Sequence, residues 1–189
     1  MKRGVLILAG GKGSRMGNCQ KGELLYNGST FLDILMESFL GENIYIATKK
    51  DYLADKEANY LYDCEEEFTP LEAIINGFEK SDIDIFFVVA CDMPFMKKDV
   101  FLKMLESLKD FDGAVCYDEQ NFLYPLGAIY TRKLLPQLLK QRLEKNYRLK
   151  DIFFNTNSIK LSMESLNIEE ERFININTPQ EYERYVKRG

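Results

Sequence analysis

A glycine-rich stretch near the N-terminus carries the residue types best suited to phosphate chemistry. Residues 8–17 read Leu-Ala-Gly-Gly-Lys-Gly-Ser-Arg-Met-Gly and follow Val5–Leu8, an apolar run typical of a buried strand. Glycines let the backbone bend so that its amide N–H groups converge on one anion. Lys12 and Arg15 add two cations to this loop, and Lys21 follows soon after it. The stretch therefore predicts a polyphosphate site at the end of a strand.

This loop matches neither of two common nucleotide-binding signatures. A P-loop needs Ser or Thr after its Gly-Lys pair, whereas Gly13 follows Lys12 here. Met16 stands where the dinucleotide fingerprint G-x-G-x-x-G has its last glycine. A strand-to-helix turn with a purely structural role is the alternative, but four glycines interleaved with two cations favour the phosphate site.

A candidate metal ligand follows the most apolar run of the chain. Residues 88–94 read Val-Val-Ala-Cys-Asp-Met-Pro, which places Asp92 just after the predicted strand Ile83–Ala90. Open α/β sheets bind their ligands at the carboxyl ends of strands. Because Mg²⁺ binds through one or two carboxylates plus substrate phosphates, Asp92 is predicted to hold Mg²⁺ as the cofactor. A turn or helix-capping aspartate is the alternative interpretation.

Two further polar patterns lie near predicted strand ends. Asp63 follows the short predicted strand Asn59–Tyr62, and its carboxylate can accept from both the N1–H and the exocyclic amine of guanine. Asn175 and Asn177 alternate along the chain, which favours a polar lining. Local capping by asparagine is the alternative for this second pattern.

The composition excludes several classes of protein. The chain has no histidine, so Ser-His-Asp catalysis, Cys-His catalysis and histidine-ligated metals are ruled out. The net charge of −5 argues against a nucleic-acid partner. The sequence shows no N-terminal signal pattern and no apolar run of membrane-spanning length. We therefore predict a cytoplasmic location and no membrane partner. The four cysteines, without a C-x-x-C pair, are predicted to be reduced.

Apolar β-type runs alternate with helical patterns along the whole chain, which predicts an α/β fold with a mostly parallel sheet. The predicted strands are Val5–Ala9, Asn43–Thr48, Asn59–Tyr62, Ile83–Ala90, Ala114–Tyr117, Gly127–Thr131, Ser158–Ser162 and Phe173–Ile176. The predicted helices are Phe31–Phe39, Pro70–Glu79, Lys98–Leu108, Lys133–Leu143, Leu149–Phe154 and Pro179–Lys187. Two of them begin with Thr-Pro-x-Glu, a capping box with proline in the first turn. No linker divides the chain, so residues 1–189 are predicted to form a single domain.

These residues resemble the molybdenum cofactor guanylyltransferases, a family of the nucleotidyltransferases related to nucleoside-diphosphate-sugar synthases. The similarity begins with Leu8–Gly17 and Lys21-Gly22, which are shared across the superfamily. The Asn-x-Asn-Thr-Pro-x-Glu ending is more discriminating. The matching segments run in order over essentially the whole chain, and the later ones are Asp63, Thr69-Pro70-Leu71, Cys91–Pro94, Tyr124–Tyr130 and Asn175–Glu181.

The resemblance implies a three-layer α/β sandwich with a Rossmann-like central sheet of the nucleoside-diphosphate-sugar transferase type. It also implies transfer of GMP from MgGTP to the phosphate of the molybdenum–molybdopterin cofactor, with release of pyrophosphate. The implied partners are GTP, this acceptor, and cofactor-receiving enzymes or chaperones. The implied nucleotide-binding residues are Leu8, Ala9, Gly10, Gly11, Lys12, Gly13, Ser14, Arg15, Lys21 and Asp63, with Asp92 on magnesium and Asn175 and Asn177 in the pterin or metal region.

The expected chemistry is an in-line attack by an acceptor phosphate oxygen on the α-phosphorus of GTP. Arg15, Lys21 and Asp92 are the predicted catalytic residues, because Arg15 and Lys21 would offset the charge that grows on the leaving pyrophosphate and Asp92 would hold the Mg²⁺. The alternatives are a cytidylyltransferase acting on molybdopterin, a sugar-phosphate nucleotidyltransferase, or a nucleotide-binding module without catalysis. Gln20, Ala47 and Ala73 depart from the family pattern and bear on the finer nucleotide contacts.

Overall fold

The fold is built on one seven-stranded sheet with the strand order β5-β4-β1-β6-β8-β7-β9. The computed structural model describes residues 1–10, 21–49, 57–63 and 69–186. A separate two-stranded hairpin is formed by β2 and β3. The strands are β1 (Arg3–Leu8), β2 (Leu25–Tyr26), β3 (Ser29–Thr30), β4 (Asn43–Lys49), β5 (Asn59–Asp63), β6 (Ile85–Ala90), β7 (Gly113–Tyr117), β8 (Leu123–Thr131) and β9 (Ser158–Ser162).

Strand direction places most carboxyl ends at one edge of this sheet. β1 pairs in parallel with β4 and with β6, and β4 pairs in parallel with β5. β8 is antiparallel to both of its neighbours, β6 and β7, whereas β7 and β9 are parallel to each other. All strands of the sheet except β8 therefore run the same way, which confirms the predicted mostly parallel sheet.

Helices cover both faces of the sheet, because alternate residues of its central strands are buried on opposite sides. Val5 and Ile7 of β1 pack in a core with α1 and α3, whereas Leu6 and Leu8 pack in a core with α2, α4 and α5. Burial on both faces explains the nearly continuous apolar runs of β1 and β6. The predicted three-layer sandwich is confirmed. The helices are α1 (Phe31–Ser38), α2 (Pro70–Glu79), α3 (Lys98–Leu108), α4 (Leu135–Leu143), α5 (Lys150–Phe154) and α6 (Pro179–Tyr185).

Within the described ranges, no helix has the length and apolar character needed to cross a lipid bilayer.

One predicted strand is wrong. Phe173–Ile176 is predicted to be a strand, but no sheet of the described chain includes it. Glu170–Phe173 instead forms a turn of 3₁₀-helix. The alternating apolar pattern has a different cause: Phe173 and Ile176 are buried in two separate core clusters. The amide of Ile176 donates to the carbonyl of Asp92 at 2.8 Å, so this segment attaches to a loop instead of a strand.

The β2–β3 hairpin was not predicted, because its strands have only two residues each. Its turn carries the Asn27-Gly28 signal, with φ of 50° and 85°. Positive φ at both central residues is what a type I′ turn requires. The C-terminal helix was predicted to reach Lys187, but α6 ends at Tyr185 and Lys187 lies outside the described residues.

A bulge interrupts β8 beside the carboxyl end of β6. Ala114 of β7 pairs with Ile129, but Cys116, two residues further along β7, pairs with Tyr124. The extra β8 residues bend out of the ladder, and Gly127 among them has a φ of +81°. A Cβ on Gly127 would lie 2.7 Å from Met96 Cε and 2.7 Å from Phe173 Cε1. The bulge therefore depends on glycine both for its backbone conformation and for space.

At the amino edge of the sheet, a buried glutamate ties β1 to α3. The Glu42 side chain is 3% exposed and accepts two hydrogen bonds from the Arg3 guanidinium, at 2.9 and 3.0 Å. Lys98 Nζ at the start of α3 lies 2.9 Å from Glu42 Oε1. Burial alone raises the pKa of the Glu42 carboxyl, but the hydrogen bonds from Lys98 and Arg3 outweigh burial and hold this pKa below its usual value.

We expect Glu42→Gln to lower the free energy of unfolding at pH 7 by about 1–2 kcal/mol, because two cations lose their charged partner. Because the folded-state pKa of Glu42 is depressed, its ionised carboxylate stabilises the fold fully above the unfolded-state pKa of about 4.3. This stabilisation is lost as the pH falls through the folded-state pKa. The difference between wild type and variant should therefore shrink on acidification. Urea denaturation at several pH values measures it, with the exposed Glu37→Gln as control. A difference that stays constant down to pH 3 would contradict this account.

We expect Gly127→Ala to destabilise the fold by about 2–4 kcal/mol, because it adds a steric clash to the strain of a positive φ. Gly28→Ala is the matched control, since Gly28 has a φ of +85° but a Cβ added there would meet no other atom within 4 Å. That variant should lose only about 1 kcal/mol. Equal denaturation midpoints for the two variants would show that crowding by Met96 and Phe173 is unimportant.

Candidate active site

A cavity of about 350 Å³ lies at the carboxyl edge of the sheet. The ends of β1 and β6 form its floor, the first turn of α2 and the β8 bulge form apolar walls, and residues from both ends of the chain supply polar groups. Carboxyl edges of open α/β sheets are where such folds bind ligands. The lining residues are Leu8, Ala9, Lys21, Pro70, Ala90, Cys91, Asp92, Leu126, Asn175 and Asn177.

An ion pair stands in the polar part of this cavity. Lys21 Nζ donates to Asp92 Oδ2 at 2.8 Å and also donates to Asn177 Oδ1. The side chains of Lys21 and Asp92 are only 19% and 12% exposed. One ammonium group thus joins the segment after the glycine-rich loop, the end of β6 and the segment before α6.

Backbone hydrogen bonds position the polar groups of the C-terminal segment. The Ile176 amide donates to the Asp92 carbonyl, which fixes this segment beside the end of β6. The Glu181 carboxylate accepts from the amides of Asn177 and Thr178 at 2.7 and 2.9 Å. Thr178 Oγ1 in turn accepts from the Glu181 amide at 3.2 Å, which completes the predicted capping box. The helix cap therefore also orients Asn177.

Two oxygen atoms of this site are buried and have no hydrogen-bond partner among the residues that the structure describes. They are Asp92 Oδ1 and Asn175 Oδ1, and both residues line the same cavity. Unpaired buried oxygens are costly, so such atoms suit a ligand that supplies positive charge. Carboxylate and amide oxygens are the ligands that Mg²⁺ accepts. The donor set therefore fits a hard divalent cation.

Among the described residues, no group of three or more acidic or cysteine side chains could hold a metal ion by itself. A Mg²⁺ site does not need such a group, because substrate phosphates supply the other oxygen ligands.

Cys91 lines the cavity without taking part in its polar chemistry. Burial, with the neighbouring Asp92 carboxylate adding to it, raises the pKa of the Cys91 thiol to about 12. The thiol therefore stays protonated at neutral pH and is neither a nucleophile nor a metal ligand. Cys91 and Cys116 are both free, as predicted, while Cys19 and Cys64 lie outside the described residues.

The structure brings six of the predicted site residues to one cavity, namely Leu8, Ala9, Lys21, Asp92, Asn175 and Asn177. Gly10 directly follows Ala9 and is buried. Asp63 is the last residue of β5, at the same edge of the sheet. The remaining predictions, Gly11, Lys12, Gly13, Ser14 and Arg15, lie outside the described residues.

Four lining residues were missed as site residues by sequence reasoning, namely Pro70, Ala90, Cys91 and Leu126. Pro70 was recognised only as the first residue of a capped helix, although a helix that starts after a strand end must lie near the ligand edge. Leu126 projects from the β8 bulge. Pro125 and Gly127 within a strand pattern were the available signal for that bulge.

Sequence comparison gives a family match over most of the chain. The model of the MobA-like NTP transferase domain matches residues 5–159. A Clostridium perfringens protein named "Probable molybdenum cofactor guanylyltransferase" is 30% identical and covers 100% of this chain and 98% of its own length. A Methanosarcina mazei protein with the same name is 28% identical over 97% of this chain and 90% of its own.

Solved structures share the fold. Molybdopterin-guanine dinucleotide biosynthesis protein A from Archaeoglobus fulgidus superposes with a TM-score of 0.83 at 22% identity, over 99% of this chain and 97% of that one. The 2-C-methyl-D-erythritol 4-phosphate cytidylyltransferase from Thermus thermophilus gives 0.72 at 15% identity, over 95% of each chain. From the extent of the family match together with these likenesses, the chain belongs to the MobA-like NTP transferase domain family.

Proposed function

We propose that this protein is a molybdenum cofactor guanylyltransferase, which transfers GMP from MgGTP to the phosphate of the molybdenum–molybdopterin cofactor and releases pyrophosphate. The observation that carries the proposal is the cavity in which Lys21, Asp92 and Asn177 meet at the carboxyl edge of the sheet. Near full-length similarity to curated molybdenum cofactor guanylyltransferases supports the choice of substrates.

The central difficulty of this reaction is that two anions must approach each other. An acceptor phosphate oxygen attacks the α-phosphorus of GTP, the bond to the β-phosphate oxygen breaks, and pyrophosphate leaves with the electron pair. The acceptor phosphate is already ionised near neutral pH, so no general base is required. The protein's task is therefore positioning and charge neutralisation.

Lys21 is the described cation in position for this task. Its ammonium can exchange one of its two oxygen partners, Asp92 or Asn177, for a phosphate oxygen without leaving the cavity. Asn177 Oδ1 is the second oxygen partner that holds the ammonium. Arg15 is proposed as the second catalytic cation, with Lys12 assisting, by analogy with other Lys/Arg clamps on phosphoryl groups.

Asp92 is proposed to hold Mg²⁺, with the Asn175 amide oxygen as the neighbouring oxygen donor. Bound Mg²⁺ would offset the negative charge of the α- and β-phosphate oxygens. Leu8, Pro70 and Leu126 give one side of the cavity an apolar wall, and a lower local dielectric strengthens electrostatic interactions beside it. The enzymes or chaperones that receive the product are further proposed partners, and the cytoplasmic location stays a prediction.

We expect Asp92→Asn to keep the fold and to lower acceptor-dependent pyrophosphate release by at least about 100-fold, because the proposed magnesium ligand loses its charge. Asp112→Asn is the matched control. It removes another lysine–aspartate pair, to Lys133 at 3.6 Å, at the start of β7 on the opposite edge of the sheet. Chelation of Mg²⁺ should reproduce the loss in wild type. Normal turnover by Asp92→Asn would contradict the metal assignment.

We expect GTP with Mg²⁺ to raise the melting temperature more than CTP or ATP does, because the proposed Asp63 contact reads the donor edge of guanine. At a GTP concentration near 100 times Kd, the shift should be about 5–10 °C. Thermal denaturation with each nucleotide, in wild type and in Asp63→Asn, measures it. Equal shifts for the three nucleotides would contradict the guanine assignment, and a larger shift with CTP would favour a cytidylyltransferase.

A further inference from the structure

The last helix of the chain, α6, contributes little to the apolar core. It spans seven residues, all of them in the described part of the chain, and each is at least partly exposed to solvent. Helices in proteins owe most of their stability to the packing of a buried apolar face. α6 therefore depends more than the other helices on specific side-chain contacts. Two consecutive residues, Glu181 and Tyr182, make such contacts on opposite sides of the Lys21 ammonium's environment, one to Asn177 and one to the hairpin.

Glu181 attaches the start of α6 to one oxygen partner of Lys21. Its carboxylate accepts from the amides of Asn177 and Thr178 at 2.7 and 2.9 Å. The Asn177 side chain in turn accepts from Lys21 Nζ through its Oδ1 atom. The position of α6 therefore determines where this amide oxygen meets the ammonium.

Tyr182 attaches the same helix to the segment that carries Lys21. Its hydroxyl donates to the carbonyl of Leu25 at 2.5 Å. Leu25 is the first residue of the β2–β3 hairpin, which begins just after the turn of 3₁₀-helix Lys21–Glu23. The Leu24 amide donates to the Lys21 carbonyl at 3.2 Å, so the backbone between Lys21 and Leu25 is itself held by a hydrogen bond.

These contacts form a continuous path that begins and ends at Lys21. The path follows the backbone from Lys21 to Leu25, crosses to the Tyr182 hydroxyl, and passes through Glu181 and Asn177 back to Lys21 Nζ. Tyr182 and Leu25 are 157 residues apart in sequence, so their hydrogen bond closes the path on the hairpin side. Neither Glu181 nor Tyr182 lines the cavity, and both therefore act on the site through other residues.

We propose that Tyr182 is a positioning residue for the transfer reaction, which fixes the Lys21 ammonium relative to Asn177 and Asp92 by holding the hairpin against α6. This inference rests on the proposed function, because that function gives Lys21 a phosphate oxygen to bind. When Lys21 exchanges an oxygen partner for phosphate, one of its own anchors is lost. The Tyr182–Leu25 hydrogen bond remains and keeps the cation in place, and small displacements of a catalytic group are costly in rate.

Tyr182→Phe removes the hydroxyl and keeps the aromatic ring, which lies beside Phe31 with centroids 6.2 Å apart. We expect the variant to fold and its kcat for acceptor-dependent pyrophosphate release to fall about fivefold, which corresponds to the loss of one hydrogen bond. The KM for GTP should stay within about twofold, because a displaced cation mainly affects charge that develops in the transition state. Steady-state kinetics with the molybdenum–molybdopterin cofactor as acceptor measures both constants.

Thr131→Val is the matched control. Thr131 Oγ1 also donates to a backbone carbonyl, that of Asp112, at 2.8 Å. Thr131 ends β8 at the edge of the sheet opposite to the cavity, and it is buried. This variant should lower the melting temperature at least as much as Tyr182→Phe and should leave kcat unchanged. If kcat falls equally in both variants, the role of Tyr182 is structural and the proposal is overturned.

A spectroscopic measurement tests the position of the ammonium without any substrate. A largely buried, hydrogen-bonded ammonium exchanges its protons with water more slowly than an exposed one. In protein labelled with ¹⁵N-lysine, the Lys21 ammonium should therefore give an NMR signal that Lys21→Met removes. We expect faster proton exchange to weaken this signal in Tyr182→Phe and the signal to persist in Thr131→Val.

The outcomes separate the positioning role from the function on which it rests. An unchanged kcat for Tyr182→Phe overturns the positioning role and leaves the guanylyltransferase proposal intact. If wild type releases no pyrophosphate in response to the acceptor, the proposed function fails, and the role of Tyr182 in that reaction fails with it. A weakened Lys21 signal in Tyr182→Phe would then still show that the hydroxyl positions the ammonium.

Discussion

The site depends on one largely buried ammonium group. Removing Lys21 and Asp92 from water costs several kcal/mol unless each charge finds a partner with good geometry. Lys21 therefore needs both Asp92, which is 71 residues away, and Asn177, which is 156 residues away. This requirement explains why the loop after β6 and the segment before α6 lie against each other, and why a capping box is used where the chain must be held in place.

The reversal of β8 shapes the apolar side of the site. An antiparallel strand brings its amino end to the ligand edge, so β8 reaches the cavity with Leu123–Gly127 instead of a strand-end loop. Leu126 of the bulge lines the cavity and forms part of its apolar wall. The positive φ of Gly127 allows the backbone to bend at this point. The neighbouring Cys91 is buried in the floor of the cavity. The polar groups are thereby confined to the side formed by Lys21, the loop after β6 and the segment before α6.

Local patterns predicted the elements well, because their causes are local. Continuous apolar runs identified β1 and β6, and the Thr-Pro-x-Glu boxes set the starts of α2 and α6. The same local reasoning was wrong for Phe173–Ile176, where alternating burial comes from packing against two clusters without strand pairing. The contacts of Lys21 could not be predicted, since pairing across 71 and 156 residues leaves no periodic signal. The positions of the motifs after predicted strands indicated that the site lies at the carboxyl edge of the sheet. Only tertiary packing shows which atoms are in contact there.

The long separation between the partners of Lys21 has a consequence for biosynthesis. A ribosome adds roughly 5–20 residues per second, so Asn177, 156 residues after Lys21, is added on the order of 10 s later. During that interval β1, β4, β5 and β6 can already pair, yet the ammonium lacks one of its oxygen partners. A nascent chain can thus pair these strands before the second oxygen partner of Lys21 has been synthesised. The segment before α6 therefore completes the polar side of the cavity only after all four of these strands have been synthesised.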